Sequence, residues 1–229
     1  MIDLYFWPTP NGKKITIALE ELGLPYKLVP VNIGRGEQFQ PEFLAISPNN
    51  RMPAIIDHEP AGGGAPLSIF ESGAILLYLA DKTGKLIPKD LRGRTQAIEW
   101  LMWQMGGLGP MLGQAHHFRN YAPEKLPYAI DRYTNEAHRL YGVLNGRLEG
   151  RDYLAGEYSI ADIASFPWLI PEGQGQSFDE FPSLARWHAA VAARPAVQKG
   201  MAAGAELRSG PPDEKAKEVL FNQRARKDG

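Results

Sequence analysis

A proline-headed strand followed by an acid–hydroxyl pair at a helix mouth constrains this chain more than any other feature. Pro53 opens the apolar run Pro53-Ala54-Ile55-Ile56, just after Asn49-Asn50-Arg51-Met52. Proline has no backbone N–H, so in sheets it is confined to strand starts, edges and bulges. Met52 before it keeps a usable N–H and C=O. Further on, Phe70-Glu71-Ser72-Gly73-Ala74-Ile75-Leu76 sets a carboxylate and a hydroxyl where a helix begins. An open strand edge pairs with peptide backbone, and a helix N-terminus holds a carboxylate. A small peptide carrying its own ammonium and carboxylates suits that combination.

The order of elements before and after these motifs sets the fold class. Ile2 to Phe6 reads as a strand ending at Trp7-Pro8-Thr9-Pro10-Asn11-Gly12, a tight, stiff loop. Lys13 to Leu22 carries apolar residues at helical spacing and stops at Gly23. Tyr26 to Val31 alternates as a second strand. Gly34 to Phe39 is a flexible turn, and Pro41 to Ile46 is a short helix. Pro53 to Asp57 and Leu67 to Phe70 are strands, and Ser72 to Thr83 is an apolar helix closed by Gly84. The series β-α-β-α-β-β-α belongs to a thioredoxin-like domain.

Beyond a polar, proline-broken linker at 85–92 no strand pattern appears. Gly93 to Met105 and Pro127 to Leu148 show helical periodicity. Ser159-Ile160-Ala161-Asp162 reads as a capping box, whose loss should cost on the order of 1 kcal/mol or more. Phe181 to Ala193 is a further helix. The expected organisation is α+β: a thioredoxin-like domain over 1–86, an all-α helical-bundle domain over 92–208, and a charged tail over 209–229. We read that tail as mobile or surface-lying.

Composition then excludes several functions. The 229 residues carry a formal net charge of -1, which gives no electrostatic case for nucleic acid or an anionic membrane. No apolar run approaches the ~20 residues that span a bilayer. The first residues look like a strand and lack the basic and apolar regions of a signal peptide, so we expect a cytoplasmic protein. The chain has no cysteine, which excludes protein thiol catalysis and internal disulfides. His116 and His117 are adjacent and so do not share one helix face. We expect no metal site. Trp100, Trp103 and Trp168 read as core or dimer-groove aromatics.

The strand–loop–helix start, the motifs at 47–55 and 70–79, and the helical second half together resemble the glutathione transferase superfamily. Pro-Thr-Pro-Asn-Gly at 8–12, Trp-Gln-Met-Gly-Gly-Leu-Gly-Pro-Met-Leu-Gly-Gln at 103–114 and Tyr-Ala-Ile-Asp-Arg-Tyr at 128–133 look like its bacterial nu class. The resemblance covers roughly residues 1–205. It implies glutathione as substrate, in one or two molecules per site, and a homodimer.

The resemblance also implies roles for particular residues. Thr9 Oγ and Asn11 would hydrogen-bond the glutathione sulfur, since donors at a helix N-terminus favour thiolate over thiol. Met52-Pro53 fits a cis peptide that turns the Met52 backbone toward the cysteinyl unit. Glu71 would take the γ-glutamyl ammonium and Ser72 its carboxylate. Gln38 and Arg51 would serve the glycyl end. Gln104 and Arg132 would lie near a second glutathione or the dimer interface.

Three functions follow from this reading. The first is a glutathione-dependent disulfide reductase, in which bound thiolate attacks a small-molecule disulfide with no protein cysteine involved. The second is conjugation of glutathione to electrophiles or reduction of organic hydroperoxides; a broad apolar pocket lined by Trp7, Tyr121 and Trp168 would favour it. The third is a non-catalytic glutathione-binding module.

Overall fold

The computed structural model describes residues 1–207 and 210–224. Four strands form one mixed sheet in the order β2-β1-β3-β4. They are β1 (Ile2–Phe6), β2 (Tyr26–Pro30), β3 (Ala54–Asp57) and β4 (Leu67–Phe70). β1 runs parallel to β2 and antiparallel to β3, and β3 runs antiparallel to β4. The parallel β1–β2 pair needs a crossover, and α1 (Pro10–Leu22) supplies it. A short α2 (Pro41–Leu44) precedes β3, and α3 (Ser72–Thr83) follows β4. Gly23 and Gly84 end α1 and α3 at φ 65°, the left-handed conformation glycine adopts freely.

The rest is helical: α4 (Leu91–Trp103), α5 (Gly109–Asn120), α6 (Pro127–Leu148), α7 (Ile160–Ser165), α8 (Pro171–Gln174), α9 (Pro182–Ala192) and α10 (Pro195–Ala202). α4 continues through the Gly-Gly-Leu-Gly-Pro run at 106–110 as a π-turn, Gln104–Leu108, into α5. Pro110 follows directly on the π-turn, at the second position of α5. Within the tail, residues 214–221 form α11 (Glu214–Phe221), started by Asp213 accepting from the Ala216 N–H. Positions 208, 209 and 225–229, which fall partly within that tail, lie outside the described residues.

α1 joins the two halves. Thr16 Oγ1 donates to the Gly200 carbonyl at 2.7 Å, and Lys13 Nζ donates to Met201 and Ala203 carbonyls at 2.7 and 2.6 Å. Arg194 grips Glu21 through two hydrogen bonds of 2.6 and 2.9 Å. Gly200 makes the close approach of α10 possible, since a Cβ there would lie 2.6 Å from both the Ile17 N and Cα. Those atoms are backbone and have no rotamer to yield. Gly200→Ala is therefore expected to cost about 2–3 kcal/mol through overpacking, lowering Tm by about 5–10 °C. Calorimetry on the variant checks this; an unchanged Tm would mean the two helices part at no cost.

Candidate functional site

The site gathers where β1 gives way to α1. Thr9 is the N-cap of α1, in extended backbone, and its Oγ1 accepts from the Gly12 N–H at 3.3 Å. Gly12 is required there because a Cβ would meet the Trp7 carbonyl at 2.3 Å. Met52 folds its side chain back over this loop: the Trp7 N–H lies 3.1 Å from its sulfur and Thr9 Oγ1 3.7 Å. The Met52–Pro53 peptide is cis, as expected. Asn11 Oδ1 accepts from Trp168 Nε1 at 2.9 Å, across a separation of 157 residues. That bond fixes the orientation of the Asn11 amide and leaves its Nδ2 without a hydrogen-bond partner among the described residues.

Two contiguous cavities open beside this loop, sharing Thr9, Pro10, Ile33, Trp168 and Leu220. The smaller, about 230 Å³, is bordered by Asn11, Gln38, Arg51 and Met52. The larger, about 890 Å³, is bordered by Trp7, Tyr121 and Trp168 and closed on one side by α11. Trp168 is thus a wall of the site and an anchor for Asn11, while it also packs against the core. Trp100 and Trp103 do pack on each other, edge to face at 5.1 Å. His116 and His117 both border the larger cavity, which is broad enough to touch successive positions of α5. Burial lowers the His117 imidazole below its usual range. No cluster of three His, Cys, Asp or Glu able to hold a metal occurs among the described residues. Nor, among them, is any helix long and apolar enough to cross a membrane.

α11 seats its apolar face on this opening. Phe221 stacks on Tyr121, with ring centroids 5.6 Å apart, and meets His117 edge-on at 4.6 Å. Just past the helix, Gln223 Oε1 accepts from Arg51 Nη1 at 2.7 Å. Sequence reading missed this wall because a short charged helix shows little until there is a surface to receive it.

The mouth of α3 is the most telling feature. Glu71 occupies the N-cap position at φ 71° and ψ 117°, a conformation uncommon for a residue with a side chain. Among the described residues no side chain caps the first turn, which leaves its N–H groups to receive an anion. Glu71 is exposed and within 3.5 Å of Asn49 Nδ2. Ser72 is buried, and its hydroxyl lies 3.5 Å from Met105 sulfur. Neither residue borders the two cavities.

The remaining expected residues divide. Gln38 is 1% exposed; its Nε2 donates to the Ile33 carbonyl while its Oε1 has no hydrogen-bond partner among the described residues. Gln104 is fully buried rather than presented to a ligand or a partner subunit. Its Oε1 accepts from Lys14 Nζ at 2.6 Å. Arg132 lies on an exposed face of α6, 3.9 Å from Glu136, and borders neither cavity. Lys14, which sequence reading passed over, is 1% exposed directly behind Ser72, at 3.4 Å from its hydroxyl. A lysine in a helix reads as solvated, and only the packing reveals otherwise.

A thioredoxin-like domain with an uncapped α3, joined to a helical domain that lends one wall of the cleft, defines the glutathione transferase class of protein. Residues 2–81 match the family described as "Glutathione S-transferase, N-terminal domain", and residues 110–195 match its C-terminal domain. This chain belongs to the glutathione S-transferase family. It is 57% identical over 203 residues to the Escherichia coli disulfide-bond oxidoreductase YfcG, covering 88% of this chain and 94% of that one. It is 42% identical over 215 residues to E. coli disulfide-bond oxidoreductase YghU, covering 87% and 73%. A Burkholderia graminis glutathione transferase, solved with two glutathione molecules per subunit, superposes with TM-score 0.84 at 48% identity over 89% of this chain and 88% of that one.

Proposed function

We propose that this protein is an enzyme that reduces disulfides with glutathione bound in the N-terminal domain. The observation that carries the reading is the uncapped first turn of α3 beside Glu71 and Ser72. It offers a carboxylate site with an acid beside it for an ammonium. The γ-glutamyl group of glutathione carries both charges. YfcG and YghU are named for disulfide-bond oxidation and reduction, and the Burkholderia structure holds two glutathiones per subunit. Both lend support.

In this reading the peptide lies across the loop between Met52 and the α3 mouth, with its sulfur near Thr9 and Asn11. The free Nδ2 of Asn11 donates to the sulfur and favours its thiolate form. The thiolate attacks one sulfur of a disulfide, forming a mixed disulfide and expelling the other sulfur as thiolate. A second glutathione thiolate then attacks the glutathione-side sulfur, releasing oxidised glutathione and the second substrate thiol. With no cysteine in the chain, every reacting sulfur belongs to a ligand. The 890 Å³ cavity has volume for the second tripeptide and the substrate. A cytoplasmic site of action fits a reductant that a cellular thiol pool must renew.

A second reading has its own observation. The larger cavity is bordered by Trp7, Tyr121 and Trp168, the apolar lining that suits an aromatic electrophile or an organic hydroperoxide. We also propose a homodimer. Leu67 and Phe70 on β4 and Met102 on α4 are exposed, at 42%, 37% and 50%, and symmetric burial would cover such side chains. Light scattering would check it.

The deciding experiment runs two assays on one preparation. One is glutathione with hydroxyethyl disulfide, coupled to NADPH and glutathione reductase. The other is conjugation of glutathione to chlorodinitrobenzene. Disulfide turnover far above conjugation is expected. Conjugation in excess would overturn it in favour of the electrophile reading. Both at background, with glutathione still bound, would leave a binding module.

A further inference from the structure

We propose that Lys14 is a positioning residue of the glutathione site, supplying from behind Ser72 the positive charge that a ligand carboxylate seated on α3 is drawn to. This rests on the reading above that the γ-glutamyl carboxylate sits at Ser72.

Lys14 lies on the inner face of α1 and is 1% exposed. Its ammonium reaches Gln104 Oε1 at 2.6 Å, Met105 Sδ at 3.3 Å and Ser72 Oγ at 3.4 Å. All three partners are neutral. An ammonium removed from water without a contacting anion is among the most costly groups to bury. Glu71 contributes a favourable field, yet burial still pushes the Lys14 ammonium down to about 7. The countercharge is the one a carboxylate on Ser72 would bring, since the Ser72 hydroxyl lies 3.4 Å from the ammonium and Ser72 is the first residue of α3.

The surroundings are arranged to keep that ammonium in place. Gln104 turns its oxygen to Lys14 and leaves its buried Nε2 with no hydrogen-bond partner among the described residues. Flipping the amide would set N–H donors against an ammonium, so the orphaned donor is the cost of this contact. Both Gln104 and Met105 come from the π-turn between α4 and α5, the irregularity that departs from regular helix here. Gly73 admits Met105 to the α3 mouth, because a Cβ there would lie 3.1 Å from Met105 Cγ. The broken helix, the glycine and the orphaned amide all converge on one buried cation behind Ser72.

The test compares two ligands by calorimetry on the full-length protein. One is glutathione. The other is 4-aminobutyryl-cysteinylglycine, the same tripeptide without the γ-glutamyl carboxylate. Wild type should prefer glutathione by about ten- to a hundredfold, the worth of a charge-assisted contact. Lys14→Met should lose most of that preference by weakening glutathione alone, with the analogue changed less than about twofold. A merely structural lysine would weaken both ligands equally, and that result overturns the proposal. So does a variant whose preference matches wild type, which leaves the disulfide-reductase reading standing. A wild type that binds glutathione without distinguishing the two ligands removes the carboxylate from Ser72, and both readings of that contact fall together. Should Lys14→Met melt below the assay temperature, Lys14→Gln carries the same comparison, with a neutral donor in place of the ammonium.

Discussion

Asp162→Ala is expected to lower Tm by on the order of 10 °C, the largest stability loss we foresee from one substitution. Asp162 is fully buried and accepts four hydrogen bonds. They come from the Leu154 N–H at 3.0 Å, the Ser159 N–H at 3.0 Å, Ser159 Oγ at 3.2 Å and Trp187 Nε1 at 2.8 Å. Burial pushes its carboxyl up to about 6, while the four donors pull it back toward the charged form. Alanine would leave those donors in the core without an acceptor, costing about 3–5 kcal/mol. An ordinary helix cap is worth only about 1 kcal/mol. The excess measures the Leu154 and Trp187 contacts, which tie the α6–α7 loop and α9 to the start of α7. Thermal and urea melts check it; a loss no larger than that of a simple cap would show those donors find water instead.

Combining Glu71→Gln with Ser72→Ala is expected to raise KM for glutathione by about a hundredfold, each charge-assisted contact being worth ~1.5–3 kcal/mol. Glutamine preserves the shape of Glu71 at its positive φ, so the α3 mouth keeps its geometry and loses only charge. These contacts hold the ligand alike in ground and transition states. Turnover at saturating glutathione should therefore fall little. Steady-state kinetics against glutathione separate the two parameters. A KM close to wild type would move the γ-glutamyl group elsewhere. A collapse of kcat with KM unchanged would give these residues a part in the chemistry.

Local signals carried much of this molecule. The strand–helix alternation of the first 83 residues is written in apolar spacing, and glycines stand where α1 and α3 end. The α6 helix, from Pro127 to Leu148, begins and ends where its periodicity does. The capping box at 159–162 is present in full. A long-range partner overrules a local preference at Lys14, a charged helix residue that packing buries against Ser72 and Gln104.

The sequence by itself determined the class of fold, the loop that bears Thr9 and Asn11, and the acid–hydroxyl pair at α3. Each is a property of neighbouring residues: a proline's ring, a helix's need for a start, a strand's alternation. Only the tertiary structure decided what surrounds them. It brought Trp168 onto Asn11, laid α11 along the cavity, sealed Gln104 in the core and placed Lys14 behind Ser72. Those contacts join residues far apart in the chain. The energy that settles them is burial and charge in a low-dielectric interior, which exists only once the chain has folded.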